Sequence, residues 1–290
     1  MTDIPKSSAA NYYEAAHAIV HEMNALFDDE GLAIRPPNMN MDCAAVVSYY
    51  TVRATRSFAA VLVLCERGFG VEAQGIVRSM LEDVADVRYI AAQPDVLPAE
   101  WVRHESRARY YMYKHLLGRN EPTTPPDDLA ELEKVIEEDK QRARESAGEG
   151  ANSDKVNRHM LKNKWTLLSQ QDRVKLAQRK WKDTKKVWEF YPYLCNHAHG
   201  SAALSSDYIA HQNGHVVAVL DQDGYKSTTP LTLAVYYASL IFEALTHLGL
   251  VHEPRISEVL EERGVDIASL DDLERSIVNE QVDTALKRVF

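Results

Sequence analysis

The sequence predicts an all-α protein: an antiparallel helical bundle with extra peripheral helices and one short β-hairpin near 215–225. Three observations carry that expectation. The 290 residues include only 12 glycines and 11 prolines, so breakers are sparse and the segments between them are long. Apolar residues make up 45%, enough for a real core. The connections between the apolar segments over 41–118 are short, which sets consecutive helices antiparallel.

Each element follows from local pattern. Residues 9–28 read as a helix, broken by Gly31 and the Pro36–Pro37 pair. A long apolar helix spans 41–67, and Gly68 and Gly70 offer a C-cap and a turn. The next helix covers 71–93 and closes before Pro94; another runs from about 98 to 118. After the loop "RNEPTTPPDD", Asp127 or Asp128 can cap the charged helix "LAELEKVIEEDKQRARES". That helix is mostly polar and is expected to project into solvent or to pair weakly. Helical pattern returns over 155–197 in two or three pieces. "HVVAVLDQDGY" reads as the hairpin, with Asp223–Gly224 as its turn. A strongly apolar helix covers 229–250, and a terminal amphipathic one 269–288. The chain thus divides into an N-terminal helix and linker (1–40), a bundle core (41–252) with a charged insertion near 119–155, and a helical extension (253–290).

Charge and cysteines limit the partners. The net charge is −10 and the pI about 5.6. An acidic balance opposes a broad phosphate-binding surface, so DNA is not an expected partner. One basic strip, 162–186, is either a solvated helix face or a local groove. Cys43, Cys65 and Cys195 are odd in number and far apart, which suggests neither a disulfide framework nor a zinc ribbon. With no signal-like N-terminus, a cytoplasmic location is expected. The longest apolar stretches fall short of about 18 unbroken apolar residues, so no membrane span is expected. The 229–250 helix fits a core or a homodimer interface equally well.

Some polar residues interrupt otherwise apolar helices. Arg78, Glu82 and Asp86 recur every four residues, and Tyr89 extends the stripe. Ile76, Val77, Leu81, Val84, Val87 and Ile90 surround them, so the helix should be largely buried. The stripe is either an i,i+4 ion pair with no further duty or one wall of a polar pocket. Tyr191, Cys195 and His199 share the same spacing in "FYPYLCNHAHGSA" and would form the opposite wall. Asn196 would lie in an adjacent row, and His197 would point elsewhere. Either histidine also fits a structural hydrogen bond.

"VRSMLE", then Lys164–Trp165, then "YPYLCNHAHG" resemble the bacterial helical family called domain of unknown function 5677. Its pattern is Arg-Ser-Leu-x-Glu followed later by Tyr-x-x-x-Ser-x-x-x-His-Gly; here Cys195 stands in place of the serine. A more distant resemblance is to HEPN-like bundles, on Arg78, Leu81 and Glu82 with Asn196 and His199. Those bundles include metal-independent ribonucleases of toxin, abortive-infection and CRISPR systems, together with non-catalytic nucleotide-binding and scaffold members. Their usual signature is Arg, four to six residues, then His. Its one literal match, Arg109–His115, is no more than chance supplies.

Three functions stay open. In the first, the chain cleaves or binds RNA in a toxin or phage-defence setting. His199 is then general acid or base, Arg78 stabilises developing charge, and Glu82 orients Arg78. Tyr191, Asn196, His197, Asp86 and Tyr89 contact substrate. No cofactor and no metal is then expected. In the second, Glu82, Asp86, His199 and His104 hold a metal, although only Glu14–His17 has the Glu-x-x-His spacing of di-iron bundles. In the third, the bundle is not an enzyme and its pocket or its charged helix takes a small ligand or a protein partner. No phosphate-binding glycine loop and no GxSxG elbow occurs, and Cys195 sits near a helix end that disfavours a thiolate.

Overall fold

The structure, a computed structural model, describes residues 6–28, 31–34, 41–119, 125, 127–148, 166, 168–198, 209–212, 215–218 and 224–265. It is an all-α helical bundle. The helices are α1 (Lys6–Asn24), α2 (Met41–Glu66), α3 (Gly70–Ala92), α4 (Leu97–Gly118), α5 (Leu129–Ala147), α6 (Gln170–Ala177), α7 (Thr184–Trp188), α8 (Tyr191–Ala198), α9 (Gly224–Leu248) and α10 (Ile256–Glu262).

The centre is α2, α3 and α9, which pack on one another. Their sequences explain why. Val46, Phe58 and Val61 of α2, Val77, Met80 and Ile90 of α3, and Leu233, Tyr237, Ile241 and Leu245 of α9 are all fully buried. Each large apolar side chain so placed contributes about 1.5–3 kcal/mol relative to exposure. The stretch Thr228–Leu248 of α9 is long and apolar enough to cross a membrane by length and composition, and 67% of its window is buried inside the bundle. Around the centre, α1 packs on α2, α9 and α10, while α4 packs on α2 and α5 on α4. Helix α3 touches α2, α4, α6, α7, α8 and α9. Polar groups on α3 beyond the exposed Glu72 therefore lie at least partly against other helices, and this positions the site.

The α2–α3 turn forms as the glycines require. Gly68 has φ +81°, the Phe69 amide donates to the Leu64 carbonyl (2.8 Å), and the Gly68 amide donates to Cys65 (3.1 Å). This is the Schellman closure, in which a left-handed glycine satisfies the last carbonyls.

Four expectations need correction. Helix α1 ends at Asn24, and Phe27–Asp28 (β1) instead pairs antiparallel with Gly31–Leu32 (β2). The second hairpin lies at Ile209–Gln212 (β3) and His215–Ala218 (β4), with Gln212 opposite His215. In the sequence Asn213 and Gly214 stand between these strands, and Asn-Gly is the strongest short hairpin signal. Gly224, expected in the turn, instead begins α9. Asp128 stands at the α5 N-cap position but caps nothing; its carboxylate takes Arg109 in a two-bond fork at 2.8 and 2.9 Å. Helix α5 itself is seated on α4 through a narrow buried stripe of Leu132, Ile136, Asp139, Ala143 and Ala147. The buried Arg107 of α4 completes that seam by pairing with Asp139 at 2.8 Å. The helix expected over 269–288 lies outside the described residues.

Candidate functional site between α3, α6 and α8

Helix α8 begins at Tyr191 with Pro192 next, a position that suits proline because the first helical amides have no partner in any case. Fully buried Leu194 anchors it to the core. The Tyr191 ring then stacks on Trp188, with centroids 4.3 Å apart and planes 11° from parallel. Helix α6 starts at a capped end, where Ser169 Oγ accepts the Asp172 amide (3.2 Å), and its first residue is Gln170.

These elements converge on Arg78. Its Nη2 donates to the Tyr191 hydroxyl at 3.2 Å and lies 3.1 Å from Glu82 Oε1. The guanidinium carbon sits 5.4 Å from the Tyr191 ring centroid. The Tyr191 hydroxyl also reaches Glu82 Oε1 at 3.3 Å and Gln170 Oε1 at 3.2 Å, and Cys195, one turn on in α8, bonds to it as well. The hydroxyl thus ties together three helices. The pair is only partly withdrawn from water, with the Arg78 side chain 21% and the Glu82 side chain 29% exposed. The bond to Tyr191 raises the Arg78 pKa, and Glu82 adds to it. Burial raises the Tyr191 hydroxyl, against the pull of Arg78, so it stays protonated at neutral pH.

Two further residues of the stripe are engaged nearby. Asp86 Oδ1 lies 2.8 Å from Arg173 Nε of α6. Tyr89 is 5% exposed and belongs to the core; burial raises its hydroxyl, with Arg173 and a bond from Gln93 acting against. Asn196 and His197 are in α8, but their side chains lie outside the described residues, as does the whole of His199. Arg78, Glu82 and Tyr191 are therefore brought together, Asp86 and Tyr89 continue the same helix towards α6, and the histidines are not placed.

Several residues at the site were not anticipated from sequence. Gln74 precedes Arg78 by one turn and donates from Nε2 to the Tyr193 hydroxyl at 3.1 Å. Gln170, Arg173 and Trp188 come from polar segments with no distinguishing pattern. Asp83, beside the stripe, turns towards α2 and accepts from Arg53 Nε at 2.6 Å. Burial pushes its carboxyl up to about 7 in spite of Arg53, and Asp86 and Glu82 add to the rise. Tyr49, Tyr50 and Trp101 cluster near that pair, with Arg53 over the Tyr49 ring.

Among the described residues, no group of three or more His, Cys, Asp and Glu side chains could hold a metal ion. The carboxylates that the sequence offered as ligands, Glu82 and Asp86, face arginines. What the arrangement offers chemically is a fixed guanidinium, a protonated phenol and an aromatic stack at a partly open seam.

No curated protein and no solved structure matches the chain. The family model that matches covers residues 44–216, which hold α2 to α8 and with them every residue of this site, so the chain belongs to the family of unknown function DUF5677.

Proposed function

We propose that the chain is a HEPN-like RNA-binding protein, and that it cleaves RNA without a metal, with Arg78 as its phosphate-binding group. The observation that carries this reading is the state of Arg78. Its guanidinium is held by Glu82 and Tyr191, and the side chain as a whole is 21% exposed. A preorganised guanidinium of this kind suits a phosphate, because its planar fork matches the anion and little freedom is lost on binding. The stacked Trp188–Tyr191 pair adds aromatic surface of the kind that unstacked bases use. Residues 170–189, which border the site, carry seven basic and three acidic side chains in a chain that is acidic overall. That local reversal favours a single-stranded polyanion over a broad duplex surface.

In this reading His199 is the general acid or base, and Arg78 stabilises the charge that develops on phosphorus. The test is cleavage of total RNA by purified protein in chelator. Wild type is expected to cleave, His199→Ala to bind without cleaving, and Arg78→Met to lose affinity. Binding without cleavage by the wild type would leave a non-catalytic RNA-binding bundle. Neither binding nor cleavage would refute the reading and favour a bundle that takes a small ligand or a protein partner.

A further inference from the structure

We infer that Gln74 is a specificity-determining residue of this site, one that takes the ribose 2′-hydroxyl of an RNA whose phosphate lies on Arg78. The inference rests on the RNA reading above and deepens it. Gln74, Arg78 and Glu82 occupy consecutive turns of one face of α3. Gln74 is 4% exposed. Its Nε2 reaches across the α3–α8 seam to Tyr193, and its Oε1 is buried with no hydrogen-bond partner among the described residues. Buried amide groups are nearly always paired, because leaving one unmade is costly. An acceptor held in that state, one turn from the partly exposed Arg78 side chain, is satisfied when a ligand brings a donor.

Spacing limits which donor. Residues four apart on a helix have Cβ atoms roughly 5–6 Å apart, so the two ligand groups lie close together. The sugar–phosphate backbone of RNA presents an anion and a hydroxyl within one nucleotide. A hydroxyl both donates and accepts, so it fits the Gln74 amide in either of its two orientations, whereas a base N–H fits only one. The 2′-hydroxyl is also the group that separates RNA from DNA at a given site.

The experiment is fluorescence anisotropy with a single-stranded RNA and a uracil-containing DNA of the same sequence, so that only the sugar differs, with every protein, the otherwise wild-type one included, carrying His199→Ala so that RNA is bound and not cleaved. Wild type is expected to bind the RNA about tenfold more tightly, about 1.4 kcal/mol. Gln74→Met should bring RNA affinity down to that of DNA and leave DNA binding unchanged. Arg78→Met should weaken both. If Gln74→Met weakened both equally, or neither, the sugar assignment would be overturned while the phosphate role of Arg78 stood. Binding of neither nucleic acid by the wild type would overturn the RNA reading and this inference with it. A wild-type titration with 2′-O-methyl RNA repeats the test with no substitution: about tenfold weaker binding is expected, and an unchanged affinity overturns the assignment.

Discussion

Arg78 and Arg88 both belong to α3, ten residues apart, and their guanidinium groups meet different surroundings. Arg88 is 1% exposed and joins separate parts of the chain: Asp183 at 2.9 Å, Thr184 at 3.1 Å and Glu243 of α9 at 2.6 Å, with Trp181 beneath it. Arg78 pairs with Glu82 of its own helix and with Tyr191 of α8, and its side chain is 21% exposed. The first arrangement fastens α3 to α7 and α9. The second fixes a charge in place and leaves it able to meet a ligand. One helix thus carries an arginine sealed among its partners at 1% exposure and another whose side chain stays partly exposed at 21%.

That contrast can be tested from both ends. The largest effect belongs to Arg88→Met, expected to cost about 3 kcal/mol in urea unfolding, the low end for breaking a buried pair because Asp183 and Glu243 are 43% and 50% exposed. A cost under about 1 kcal/mol would remove the distinction. Arg78→Met should reverse the pattern, with RNA affinity down about tenfold or more and stability changed by less than about 1 kcal/mol. Glu82→Gln comes next. A loss of about 3–5 kcal/mol would follow if Arg78 were left buried and unpaired. With Tyr191 and solvent still available to Arg78, about 1 kcal/mol is expected, read from the same unfolding curves.

The smallest effect is a slope. Asp83 holds its proton up to about pH 7 in the fold, against an ordinary value near 3.8. The folded state therefore binds more protons than the unfolded one between those values. The contribution of this group is greatest at the acidic end and falls as pH rises through that window, levelling above about 7. Asp83→Asn should flatten the Tm profile across the window. An unchanged profile would show that Arg53 keeps the carboxyl ionised.

The sequence made the main helices legible where breakers are sharp. Gly68, Gly70 and Pro94 marked the ends of α2 and α3 to within a residue or so. The stripe of Arg78 and Glu82, and Tyr191 opposite, were readable because a spacing of four places residues on one face. Gln170 and Trp188 were not, because nothing local in a polar segment tells which side chain meets Tyr191 further along the chain. The hairpin was misplaced because the turn signal of Asp223–Gly224 outweighed that of Asn213–Gly214, whereas Gly224 starts α9. The α5 stripe was hidden by composition: four apolar positions and Asp139 seat a helix whose remaining surface is charged.

Helix α3 touches six other helices. An amide at Arg78 or Glu82 therefore has no shallow route to solvent through a fraying end or a loop. Its hydrogen exchange should report opening of the bundle as a whole, with a protection factor near the global unfolding free energy. A substitution anywhere in the core would then be felt at this site as a change in how often it exists, not in what shape it has.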